Sequence, residues 1–198
     1  MNDGHTDLLP LRLGFVKVFL VRGTGKHVLV DSGTAGSSTK VIALLERAGV
    51  SPRDIGLIVV THAHPDHTGS LADIAEATGA KVAVHRLEAE HLGTRVEPGI
   101  LVGDELDLKP CGAAGKVIWT PGHTRGSLSV VLESGEGIVG DLVLPRFMFF
   151  GPPEIAARAA SREDSLASIR KVLDLKPSII LTSHGGPYRP EALTRLVR

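Results

Sequence analysis

The chain of 198 residues contains no glutamine, one asparagine and one cysteine. Scarce amides, together with more arginine than lysine, fit a heat-adapted source, and GC-rich coding would leave the same trace. Cys111 has no partner for an intrachain disulfide, and residues 1–7 are polar and acidic, unlike the basic-then-apolar layout of a secretory signal. Both absences set the expectation of a cytoplasmic protein. No run of about 18 apolar residues occurs, so no membrane-spanning helix is expected. Net charge is zero and the two signs are interspersed, which removes the electrostatic footprint of a nucleic-acid or anionic-membrane binder. No close repeat and no low-complexity linker divides the chain. With 42% apolar and 22% charged residues, one soluble domain over residues 1–198 is the economical reading.

Short β-rich runs alternate with helical ones. Residues 15–22 and 27–31 read as a hairpin turning at Gly23-Thr24-Gly25-Lys26. A helix is expected over 39–48, ending at Gly49, and another over 68–77, ending at Gly79. Residues 57–60 are continuously apolar, as in a strand covered on both faces. Strands follow at 81–85, 117–120, 128–132, 137–140 and 178–181, with short helices at 86–92 and 191–197. Ser161 with Asp164 three positions on resembles a capping box and opens a further helix. This alternation predicts layered α/β packing.

What the chain has in unusual concentration is Thr61-His62-Ala63-His64-Pro65-Asp66-His67, placed directly after that apolar strand. Imidazole nitrogens and carboxylate oxygens are ligands for zinc and iron. In extended backbone His62 and His64 fall on the same side, while Asp66 and His67 sit where the chain turns into a helix and aim elsewhere. One loop can therefore serve two centres. Three more candidates lie on Gly-rich turns at later strand ends: His123 in Pro121-Gly122-His123-Thr124, Asp141 after Gly140, and His184 in Ser183-His184-Gly185. His5, His27, His85 and His91 fit no such position and read as surface or packing histidines.

With Leu29-Val30-Asp31-Ser32-Gly33 added, these segments resemble, in order and spacing, the metallo-β-lactamase fold superfamily over nearly the whole chain. The resemblance implies a four-layer αββα sandwich with its site where strand-end loops meet. It implies that His62, His64 and His123 hold one metal, that Asp66, His67 and His184 hold a second, and that Asp141 bridges them. Asp31 would brace the ligand loop; a plain turn-forming Asx residue is the other reading of it. The implied cofactor is two zinc ions, with iron or manganese as substitutes. The implied reaction is hydrolysis by a metal-bridging hydroxide, with Asp66 orienting it and relaying a proton.

The substrate class stays broad: an ester, lactone, thioester or β-lactam carbonyl, or a phosphodiester, with promiscuity expected of an open site. His64 stands where the di-iron flavoprotein branch carries Glu. The chain stops about a dozen residues after His184, without the helical extension of glyoxalase-II-type thioesterases. The alternative is a persulfide-dioxygenase-like oxidoreductase with one iron on His62, His123 and Asp141. The segment after Asp141 is rich in phenylalanine, and Phe147 and Phe149 are expected to wall the substrate pocket, with core packing or a dimer contact as the other readings. Partners are expected to be a small-molecule substrate and a second copy in a homodimer, with no nucleic acid and no membrane.

Overall fold

In the computed structural model, which describes residues 7–147 and 150–198, the first half runs β1 (Asp7–Leu13), β2 (Val16–Arg22), β3 (His27–Val30), α1 (Ser38–Arg47), β4 (Ile55–Val59), α2 (Pro65–Thr68), α3 (Leu71–Thr78), β5 (Lys81–His85) and β6 (Ile100–Val102). The second half runs β7 (Glu105–Asp107), β8 (Gly115–Trp119), β9 (Leu128–Leu132), β10 (Glu136–Ile138), β11 (Leu144–Phe147), β12 (Phe150–Glu154), α4 (Arg162–Asp174), β13 (Ile179–Leu181) and α5 (Pro190–Thr194). Strands β1 to β6 form one sheet in sequence order, antiparallel up to β3 and parallel beyond it. The other sheet has the order β13-β10-β9-β8-β7, and β11 and β12 make a separate hairpin.

Alternation along the strands builds the layers. On one face of the first sheet, Val18, Leu20, Leu29, Ile58 and Val60 meet Val41 and Leu45 of α1 and Leu71 and Ile74 of α3. On its other face, Phe19, Val28, Val30, Leu57 and Val59 meet Val117, Leu128, Val130 and Ile138 of the second sheet. Behind that sheet, Ile118, Val131 and Ile180 pack on Ile169 and Val172 of α4 and Leu193 of α5. Three stacked apolar interfaces make four layers, the expected αββα sandwich. Burying each such side chain contributes about 1.5–3 kcal/mol.

Several elements depart from the sequence reading. The helix expected over 68–77 is two helices. Pro65 starts the first, as its missing N–H allows, and the chain breaks at Gly69-Ser70. Ser70 Oγ donates to the Thr34 carbonyl and accepts the Ser37 N–H there, which ties the break to the loop after β3. The helix expected over 86–92 is a 3-10 turn, Ala89–Leu92. Strand β1 was not among the expected strands; it contains Pro10 and lies on the sheet edge, where proline is tolerated. The segment after Asp141 was read as loop, yet it pairs as β11 with β12. Among the described residues no helix is long and apolar enough to cross a membrane.

Candidate metal centre

All the candidate side chains come from C-terminal strand ends that meet at one edge of the sandwich. β3 delivers Asp31, β4 delivers His62 to His67, β8 delivers His123, β10 delivers Asp141 and β13 delivers His184. Backbone bonds lock these ends together: Asp31 N–H to Val59 carbonyl, Ser32 N–H to His67 carbonyl, Leu128 N–H to Thr61 carbonyl, and Ser183 N–H to Gly140 carbonyl. Gly140 adopts φ +55°, and a Cβ there would lie 3.0 Å from Thr61, so glycine suits both the turn and the approach.

His62 Nε2 lies 3.0 Å from His64 Nδ1, which lies 3.1 Å from His123 Nε2. Donors about 2.0–2.1 Å from a tetrahedral ion are roughly 3.3 Å apart, so this spacing suits a shared cation. Asp66, His67 and His184 form a second group, and Asp141 stands between the groups. Asp141 Oδ2 lies 3.8 Å from His123 Nε2 and 3.5 Å from His184 Nε2, and Oδ1 lies 3.7 Å from His67 Nε2. His184 Nε2 is 3.0 Å from Asp66 Oδ2. His67 Nε2 and Asp141 Oδ1 are buried without a hydrogen-bond partner. Orphaned polar atoms facing each other across a shared centre are what a bound cation would satisfy.

Outer contacts set which imidazole nitrogen faces inward. His67 Nδ1 donates to Asp31 Oδ2 at 2.7 Å, and His184 Nδ1 donates to the Phe15 carbonyl at 2.9 Å. Thr61 Oγ1 lies 2.8 Å from Asp31 Oδ2 and 3.1 Å from His62 Nδ1, so it donates to the carboxylate and accepts from the ring. Each of these outer contacts turns the Nε2 of its histidine toward the centre. Asp31 is fully buried and also accepts the Thr61 N–H at 2.7 Å. Its φ of +65° is unusual outside glycine and costs on the order of 1 kcal/mol. Its bonds from Thr61 and His67 tie down both ends of the 61–67 segment. Thr61 and the Phe15 carbonyl had no sequence signal of their own.

The charges divide. Burial first, and neighbouring imidazoles second, hold His62 well below the ordinary histidine range, and burial also lowers His123. Burial pulls His67 down too, but Asp31 and Asp141 outweigh it and raise it to about 10. His184 rises because its hydrogen bond to Asp66 and the Asp141 charge outweigh burial. The His184 bond holds Asp66 at about 2. Burial opposes the Asp141 charge, yet the surrounding imidazoles keep its carboxyl below the usual range.

Two clefts flank the centre. One of about 610 Å³ is lined by Ala63, His64, Leu87, His123, Arg125 and Arg158. The other, about 700 Å³, is lined by His64, His123, Leu144, Pro145, Ile155 and Arg158. The β11–β12 hairpin walls the second cleft through its base. Phe147 is not part of that wall; it is 54% exposed beside Phe150. Phe149 lies outside the described residues. His85, expected as a surface or packing histidine, is buried and stacked on Trp119.

The family model described as the metallo-beta-lactamase superfamily matches residues 11–184. The chain belongs to that superfamily. A probable metallo-hydrolase of Methanocaldococcus jannaschii is 34% identical over 134 residues, which cover 60% of this chain and 63% of that protein. A hydroxyacylglutathione hydrolase of Anaeromyxobacter dehalogenans is 34% identical over 123 residues, covering 62% of this chain and 44% of its own length. The chain therefore spans less than two thirds of either relative. The crystal structure of an archaeal metallo-beta-lactamase superfamily protein from Sulfolobus tokodaii has the same fold, with TM-score 0.72 at 21% identity over 98% of this chain and 85% of that one. The chain's clustered His and Asp donors could hold metal ions.

Proposed function

We propose that this superfamily member is a binuclear zinc hydrolase, with His62, His64 and His123 around one ion, Asp66, His67 and His184 around the other, and Asp141 between them. The observation that carries the reading is the orphaned pair, His67 Nε2 and Asp141 Oδ1, buried between two convergent donor sets. When bound, such ions would supply Lewis acidity, drawing the pKa of water toward 7 and offsetting charge on the attacked oxygen. Asp66, held anionic, accepts the proton of the attacking water at a carboxylate oxygen and returns it to the leaving alcohol, thiol or amine. His184 Nε2 lies 3.0 Å from Asp66 Oδ2, so the two side chains converge on one position. The bond broken is the acyl C–O, C–S or C–N bond of a lactone, ester, thioester or β-lactam, or the P–O bond of a phosphodiester.

Arg158 lines both clefts and Arg125 one, and neither guanidinium has an ion-pair or hydrogen-bond partner among the described residues. Free guanidiniums beside the reacting centre favour a substrate carrying a carboxylate or phosphate. Arg158→Ala is expected to raise KM for such a substrate about tenfold, the worth of one charge-assisted hydrogen bond, and to leave kcat nearly unchanged. Equal KM values for anionic and neutral substrates in both proteins would remove that preference. For the reaction itself, metal content of the purified full chain is the test. Two zinc ions per chain with hydrolysis of a lactone, thioester, β-lactam or phosphodiester support the proposal. One iron per chain with oxygen uptake on a persulfide would replace it with the dioxygenase reading. That reading leaves His64 Nδ1 an unused inward donor, 3.0 Å from His62 Nε2.

A further inference from the structure

Glu88 is 5% exposed and has no cationic partner among the described residues. It lies just beyond β5, before the turn Ala89–Leu92. Its Oε2 accepts the Ala63 N–H at 3.0 Å, and its Oε1 accepts the Gly126 N–H at 3.0 Å. Ala63 separates His62 from His64, and Gly126 follows His123 by three residues. The first segment leaves the β4 end of one sheet; the second links β8 to β9 in the other. One carboxylate thereby ties together the two loops that carry the three-imidazole group. A buried carboxylate is costly unless hydrogen-bonded, so packing alone would favour an apolar residue here.

The surroundings point the same way. A Cβ on Gly126 would lie 2.5 Å from Glu88 Cγ and 3.1 Å from His85 Nδ1, so a side chain there would force the carboxylate away. His85 stacks on Trp119 with ring centroids 5.2 Å apart, and Trp119 Nε1 donates to the Arg125 carbonyl at 2.9 Å. The β5 end thus holds the 123–127 loop twice, once through Glu88 and once through the His85–Trp119 stack.

We propose that Glu88 is a positioning residue for the His62/His64/His123 metal position, clasping the 62–64 segment to the His123 loop so that the three inner nitrogens converge. The proposal rests on the ligand assignment above. In Glu88→Gln one acceptor becomes an NH2 that opposes a backbone N–H, and one of the two bonds is lost. Chelator-stripped full-length wild type and E88Q are titrated with zinc, and separately with cobalt to read the ligand-field bands. E88Q is expected to bind the first ion about 10–100-fold more weakly, the usual effect of losing an outer contact, with altered cobalt bands at that position. The second ion should bind as in wild type.

Wild-type affinities and bands for both ions in E88Q would overturn the proposal, and so would an equal loss at both positions. A wild type that takes up neither ion would overturn the ligand assignment itself and this inference with it. Should E88Q fail to fold, amide exchange in metal-free wild type decides: Ala63 and Gly126 N–H should be protected, and fast exchange at both would sink the clasp.

Discussion

His62, His64 and His123 meet as imidazoles with nothing anionic among them, whereas 4.0 Å from the His62 ring centre, His67 opens a group that is internally paired by charge. In the first group burial keeps His62 and His123 neutral, so lone pairs converge and await a cation. In the second, Asp31, Asp141 and Asp66 hold His67 and His184 toward their protonated forms, so a cation must displace protons. The same residue types therefore produce one position ready for an ion and one that is proton-locked. The difference lies in where the carboxylates stand. Asp141 is the exception that belongs to both.

The largest test of this contrast is the shared residue. Asp141→Ala should lower kcat/KM on the accepted substrate by on the order of 10³ or more, since several kcal/mol of charge stabilisation are at stake. It should also reduce metal content at both positions; an unchanged rate and stoichiometry would show the two groups to be unconnected. His64→Ala touches only the neutral group. It should lose one ion per chain by elemental analysis, retain the other, and cut the rate by roughly 10²–10³. Loss of both ions would mean that the groups fill as one unit.

Asp31→Asn bears most directly on the charged group, and through Thr61 less directly on His62. It removes the anion behind His67 Nδ1 and should weaken the second ion about 10–100-fold, and the first by less, in a competition titration. The smallest effect is in protons. Zinc added to stripped protein at pH 8 should release protons, because His67, at about 10, is still largely protonated. A His pKa raised on folding adds stability that is whole below about 6.5 and is lost as pH rises through about 10. The stripped protein's Tm should therefore fall over that interval, by about 2–4 °C per kcal/mol lost, while the zinc-loaded Tm stays level. A stripped protein with no alkaline decline would remove the proton lock.

How much could be read beforehand depended on how local the cause was. Strand β9 was expected over 128–132 and occurs there, because five consecutive apolar or small residues suit a strand buried on both faces. Ser161 caps α4 by accepting the Asp164 N–H, a contact spanning three residues and visible as spelling. The convergence of 62–67 with 123, 141 and 184 was legible because each of them is a His or Asp at the end of an expected strand, and strand ends on one edge meet. Strand β1 and the β11–β12 hairpin were not legible, since Pro10, Pro145, Gly151 and Pro152 argue against strands unless an edge position is known. The Phe147 expectation went astray for a related reason: the hairpin carries that ring to an exposed surface rather than into the cleft.

The sequence by itself determined which donors exist, how they are grouped along the chain, and which fold carries them, because apolar alternation and ligand type are properties of short segments. Only the tertiary structure decided which nitrogen of each histidine faces inward, which group holds protons, and that Glu88, 25 residues from one ligand loop and 38 from the other, joins the two. Tautomer and charge depend on the partner at the far side of the ring and on burial. Those partners, such as the Phe15 carbonyl at 169 residues from His184, become neighbours only when the sheets close.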